Sequence, residues 1–269
     1  MGMIDYCYHT HSYRCGHAKG TEEEYVLSAI KEGFRVIGFT EHVFLPGFEQ
    51  PGMRGSFNEL DDYINTVNSL KEKYRDQIEI HLGFECEYGK VFEDYYRSLL
   101  KEKGVEYLIL GQHLFFDGNK NHTWLFHYGE PDETVTKYVD EIIKGIKTGL
   151  FTYLAHPDLF IRKYKKVNEH FVKEMRRLCE ACVEYDIPVE INLGGIRSKP
   201  FINPEVINYA SEEFFQIVGE YPLKVIVGVD AHNPDDFKDG VSDYAFAEYL
   251  IDKYKLNHIT RLEFKKLTD

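Results

Sequence analysis

The stretch YHTHSYRCGH, Tyr8 to His17, holds three of the chain's twelve histidines: His9, His11 and His17. Residues i and i+2 of a β-strand share a face, so His9 and His11 project together and His17 returns to them from a loop. Three converging imidazoles read as a metal site. Similar residues recur near the ends of later apolar runs: His42 in VIGFTEH, Glu85 in EIHLGFE, His113 in YLILGQH, His156 in FTYLAHPD, and Asp230 and His232 in KVIVGVDAH. A further run, PVEINLGG, supplies Glu190 and Asn192.

Such residues meet only if the elements carrying them end at one place. Short β-branched or aromatic runs alternate with helical patterns along the chain, giving seven expected strands, each followed by a helix. The expected helices include LDDYINTVNSLKEKY, TVTKYVDEIIKGIKTG, VNEHFVKEMRRLCEACVEY and INPEVINYASEEFFQIVGEY. No linker or shift of composition divides residues 1–269, so a single barrel-like α/β domain is expected. In a parallel barrel the carboxyl ends of all strands gather at one rim, where active sites are built. Isolated core histidines have no reason to choose the same end of successive strands. By that criterion His81, His170 and His258 read as structural, and His122 and His127 stay open because they lie in a long loop after the fourth strand. That loop and VFLPGFEQPGMRGSF after the second strand exceed ordinary connections and point to function.

Nine candidate ligands are too many for one tetrahedral ion and suit two or three, with a carboxylate bridging a pair. The nitrogen-rich set favours zinc, iron or manganese over calcium or magnesium. Cys7 reads as packing inside the barrel, one pair below the rim on the face of His9 and His11. Cys179 and Cys182 have redox spacing but fall within an amphipathic helix and read as core.

The chain has 269 residues, 43% of them apolar, enough for one large core. Its five cysteines are scattered through periodic segments and suit reduced thiols in a cytoplasm. MGMI leads almost directly into the histidine cluster, leaving no room for a leader peptide, and no apolar run approaches membrane-spanning length. A formal net charge of −13 argues against nucleic acid held on a basic surface, though bound metal ions can still attract an anionic substrate.

HTH at the first strand, His17 in the next loop, then EH, GFE, GQH, AHPD and DAH together resemble the polymerase and histidinol phosphatase (PHP) superfamily. The length, GQHLFFDG and VDAHNPDD look like its stand-alone histidinol-phosphate phosphatases. The resemblance implies a distorted (β/α)7 barrel with three divalent transition-metal ions. It implies one ion on His9, His11, Glu85 and Asp230, a second on Glu85, His113 and His156, and a third on His17, His42 and His232. Glu41 stands where relatives commonly have Asp, and either carboxylate can accept from a ligand histidine.

The activity so implied is hydrolysis of L-histidinol phosphate in histidine biosynthesis, through a hydroxide bridging two metals, with Glu85, Asp230 and His232 as the catalytic set. The alternative is another small phosphate ester or nucleic-acid ends. Phosphate also favours a guanidinium fork, and Arg162 and Arg197, each just past a strand end, are the candidates. Glu190 or Asp117 would meet the substrate's amine. A metal-storage module would have no need of such arginines, and a C–N hydrolase of amidohydrolase type would usually end a strand in lysine, which none does here.

Overall fold

The computed structural model describes residues 4–198, 203–238, 244–265 and 267. Its main sheet has eight strands: β1 (Tyr6–Cys7), β2 (Val36–His42), β3 (Glu79–Cys86), β4 (Tyr107–Leu110), β7 (Tyr153–Leu154), β8 (Val189–Asn192), β9 (Lys224–Gly228) and β10 (Asn257–His258). They pair in that order, all in parallel. Beyond β1, Thr10 bridges Ala231 past the end of β9, which brings the first and ninth strands together and curls the sheet into a distorted barrel. Seven strands match the expected runs. The eighth, β10, joins β9 at the opposite end, where Tyr6 Oη lies 2.7 Å from His258 Nε2.

The connecting helices are α1 (Glu22–Lys31), α2 (Leu60–Tyr74), α3 (Glu93–Glu102), α4 (Pro131–Lys147), α5 (Glu169–Glu184), α6 (Leu193–Ser198), α7 (Glu212–Val218) and α8 (Tyr244–Tyr254). Their starts are written locally. Thr21 and Glu24 form a capping box on α1, and α4 begins with Pro131 behind a Glu130–Glu133 box. The helix expected over 202–221 shrinks to α7, because the Ser211 side chain accepts from Phe214 N and starts the helix there. The expected run PVEINLGG stops as a strand at Asn192, and Leu193–Ser198 turns into α6. The loop after β4 forms an antiparallel hairpin of β5 (Leu114–Phe116) and β6 (His122–Trp124).

Two apolar clusters follow from the strands' two faces. The barrel interior holds Tyr6, Tyr8, Val36, Tyr107, Ile109, Tyr153, Ala155 and Ile226, with Phe264 stacked on Tyr107 at 4.6 Å. The larger cluster lies between sheet and helices and includes Cys179 and Cys182 of α5, whose thiols burial pushes up, that of Cys179 to about 12. Cys7 belongs to this outer cluster, not to the interior. The expected alternation fails because the chain bends at Tyr8: Tyr6 and Tyr8 face inward below the bend, and His9 and His11 face inward above it.

The bend is held from inside the barrel. Tyr107 Oη and Tyr153 Oη donate to Tyr8 O at 2.9 and 3.1 Å, immediately before His9. Either donor alone keeps that buried carbonyl paired. Tyr107→Phe and Tyr153→Phe are each expected to cost about 1 kcal/mol in urea unfolding, and the double variant more than their sum, since an unpaired buried acceptor costs about 1–3 kcal/mol. Strict additivity would show that the two hydroxyls do not share the carbonyl.

Candidate metal centre

All nine candidate ligands end at the rim that carries the Thr10–Ala231 bridge, with Glu85, 1% exposed, at their centre. Glu85 Oε2 lies 3.6 Å from His9 Nε2, 3.4 Å from His11 Nε2 and 3.0 Å from His42 Nδ1. Its Oε1 lies 2.6 Å from His156 Nε2 and 3.7 Å from His113 Nε2. Asp230 Oδ1 is 3.5 Å from both His9 Nε2 and His11 Nε2. At the open side His17 Nε2 meets His232 Nε2 at 3.0 Å, and His17, His42 and His232 form a third set of converging ligand atoms. Gly111, just past β4, makes room: a Cβ there would collide with the Glu85 carboxylate.

Two ligands sit on strained backbone. His156 and Asp230 adopt positive φ, 30° and 50°, which for non-glycine residues costs of order 1–3 kcal/mol. Neighbours hold them there. His156 N donates to Glu190 Oε2 at 3.0 Å, and Arg197 Nη2 donates to Asp230 O at 2.7 Å.

Behind the ligands stands a layer of carboxylates. His9 Nδ1 faces Glu190 Oε1 at 2.9 Å, and His113 Nδ1 faces Glu87 Oε1 at 3.2 Å. Glu41 Oε2 lies 3.8 Å from His11 Nδ1, its other oxygen accepting from Ser12 N and Oγ. Nδ1–H donation to a carboxylate fixes the tautomer and leaves Nε2 free to ligate. Glu190 is fully buried in this task, with Asn192 Nδ2 on its Oε2, so it does not face a substrate amine as expected. Asp117 is exposed, and its carboxylate accepts from Asn119 N, Asn121 N and Asn121 Nδ2 in the hairpin turn.

The sequence reading missed Glu87 and Arg54. Glu87 follows Glu85 by two residues in GFECEYG, so the strand period could have found it; Arg54, in a loop, carries no such signal. Arg162 is brought near the centre: its guanidinium lies 4.4 Å over the Tyr209 ring, which stands edge-on to His156 at 6.0 Å. Asn208 Oδ1 and Ser198 Oγ hold it at 2.7 and 2.5 Å. Arg197, expected to grip phosphate, instead donates through Nη1 to Val229 O and through Nη2 to Asp230 O, both at 2.7 Å, with Asp236 Oδ2 3.4 Å away. His81, His170 and His258 are engaged by Glu106, Thr136 and Tyr6, away from these sets. His122 packs on Phe48, and neither it nor His127 joins a ligand set among the described residues.

The residues fit metal ions on a direct observation. His9 Nε2, His11 Nε2 and His42 Nδ1 are buried nitrogens without a hydrogen-bond partner, and all three point at the carboxylate cluster. The 3.4–3.6 Å separations around Glu85 Oε2 and Asp230 Oδ1 are close to the edge of a tetrahedron with bonds of about 2.0–2.1 Å, roughly 3.4 Å.

Charge without metal is shared among protons. Burial opposes a proton on His9, but Glu190, Asp230 and Glu85 outweigh it and hold its pKa well above the usual value; His11 is likewise raised against burial by Asp230, Glu41 and Glu85. Burial disfavours charge on Glu85 and Asp230 too, yet the surrounding histidines keep both well below the ordinary carboxylate range. Burial, aided by the charge on His11, lowers His17 and His42 and takes His232 to about 3. The carboxylates therefore favour protons on His9 and His11, which a metal must displace, whereas burial favours the neutral forms of His17, His42 and His232. Loading the apoprotein with zinc at pH 7 is expected to release protons, and the affinity at the His9–His11 set to rise with pH through neutrality. Calorimetry in buffers of different ionisation enthalpy measures this; metal uptake without proton release would contradict it.

The model for the PHP domain family matches residues 8–194. The probable histidinol-phosphatase of Deinococcus radiodurans is 24% identical over 87% of this chain and 90% of its own length. The histidinol-phosphatase of Bacillus subtilis is 26% identical over 90% of this chain and 97% of its own. Among solved structures, histidinol phosphate phosphatase from Lactococcus lactis subsp. lactis, complexed with zinc, L-histidinol and phosphate, superposes with a TM-score of 0.73 at 20% identity, covering 97% of this chain and 99% of that one. That likeness is one of fold, and it agrees with the rim geometry in pointing the same way as the sequence match: the chain belongs to the PHP domain family.

Proposed function

We propose that this chain is a metal-dependent phosphomonoesterase that hydrolyses L-histidinol phosphate to L-histidinol and phosphate in histidine biosynthesis. In this reading residues 1–269 act as one PHP unit in the cytoplasm, with three divalent transition-metal ions, zinc, iron or manganese, on the nine rim residues. The observation that carries it is the sharing of Glu85, one oxygen facing His9 and His11 and the other His113 and His156. A carboxylate so placed would hold two neighbouring cations, which would supply the charge that phosphoryl transfer to water uses. The choice of ester is supported by the names of the relatives matched along most of the chain. The net charge of −13 favours a small ester over a nucleic-acid backbone. No helix of the described residues is long and apolar enough to cross a membrane.

Bound ions supply the Lewis-acid charge that a phosphate dianion and an attacking water both require. The chain's own residues fix where that charge sits. Glu85 and Asp230 provide the anionic ligands, and Glu190 and Glu87 hold His9 and His113 in the ligating tautomer. His232, neutral at working pH, completes the catalytic set on the open side. Arg162, braced by Asn208 and Ser198 beside His156, takes the substrate-facing role. Arg197 is given a positioning role instead: it fixes the peptide that carries Asp230.

Phosphate release from L-histidinol phosphate, other monoesters and one diester, after loading with each metal, tests the reading. L-histidinol phosphate is expected to have the highest kcat/KM, and Glu85→Gln to lower it by about 10²–10³ or more. Preference for the diester, or a Glu85→Gln variant as active as the parent, would overturn it. The two arginines separate by readout. Arg162→Ala is expected to lower kcat/KM about ten- to a hundred-fold with full metal content, the worth of a charged hydrogen bond. Arg197→Ala is expected to lose metal from the Asp230 set, and an unchanged metal content would return Arg197 to the substrate.

A further inference from the structure

Arg54 lies in the loop between β2 and α2, yet its side chain is fully buried. A hidden guanidinium must be matched by acceptors, since desolvating it is costly. Its Nη2 donates to Glu87 Oε1 and Oε2 at 3.0 and 3.1 Å, its Nη1 to Val43 O at 3.0 Å, and its Nε to Gln50 Oε1 at 3.0 Å. The destinations matter. Val43 follows His42, and Val43 N donates to Glu85 O at 2.8 Å. Glu87 is the carboxylate that faces His113 Nδ1. The same loop also reaches the segment carrying His17: Gly52 packs on Gly16 so closely that a Cβ on Gly16 would lie 2.9 Å from Gly52 Cα.

We infer that Arg54 is a positioning residue for the metal centre: it ties the peptide after His42 to the carboxylate behind His113, so that the sets on His113–His156 and on His17–His42–His232 depend on it. Apart from the shared Glu85, the set on His9, His11 and Asp230 does not, because Glu190 and Asn192 of β8 and Arg197 of α6 support it. This rests on the proposal of more than one ion. A guanidinium spreads its donors over three nitrogens and so reaches Gln50, Val43 and Glu87 together, whereas a lysine keeps the charge on one nitrogen and only one or two of the bonds.

The test is zinc loading of the wild type, Arg54→Ala, Arg54→Lys and Glu87→Gln, counting bound metal and following its release to a chromophoric chelator. Supporting changes behind metal ligands typically alter affinity about 10–100-fold. In Arg54→Ala, the ions of two sets are expected to leave faster by a factor of that order while one set keeps its parental rate. Arg54→Lys is expected to fall between wild type and Arg54→Ala, and decides the matter if Arg54→Ala does not fold. Glu87→Gln is expected to accelerate one set only. Parental release from the Arg54 variants, or equal acceleration of every set, overturns the inference while leaving the multi-ion reading intact. Wild-type metal at or below one equivalent would remove that reading and the inference with it.

Discussion

A carboxylate removed from water must find positive charge or hydrogen-bond donors close by, and the rim of this barrel is arranged around one such group. Glu85 is 1% exposed, and five imidazoles from the ends of four strands turn their ring nitrogens toward it. Without metal, its charge and that of Asp230 favour protons on His9 and His11. Those protons sit where cations fit, so metal replaces a compensation the fold already needs. The strained backbone at His156 and Asp230 belongs to the same arrangement, because each lets a ligand at the end of its strand point back toward the carboxylates.

The ligands are held by partners that differ from strand to strand. His9 is backed by Glu190, itself fixed by Asn192 and the His156 amide, neutral donors all. His113 is backed by Glu87, which faces a buried cation, Arg54. Below them the tyrosines of the barrel interior hold the carbonyl that precedes His9. Folding energy and site geometry are thus linked: the hydroxyls that satisfy a buried peptide also set the bend that turns two histidines inward.

Much of the centre was legible because strand ends are written locally. An apolar run that closes in His, Glu or Asp marks its own terminus, and a parallel barrel sends all such termini to one rim. Helix starts were partly legible: the box at Thr21 is explicit, but Ser211 was passed over in favour of the longer pattern before it, so α7 is shorter than expected. Cys7 was misplaced because period-two alternation assumes an unbroken strand, and the bend at Tyr8 breaks it.

What the sequence determined by itself, then, was the types of the ligands and the ends of the elements that carry them, since both depend on neighbours a few residues away. Which charged groups are engaged by the protein itself was decided only by tertiary structure. Glu190 and Arg197 stand at or just past a strand end, as a ligand-binding group would, and Arg54 lies in a loop. Each is instead engaged by partners far along the chain: His9 for Glu190, the Asp230 carbonyl for Arg197, Glu87 for Arg54. A side chain's charge is local, but the group that neutralises it is chosen by which segments the barrel brings together.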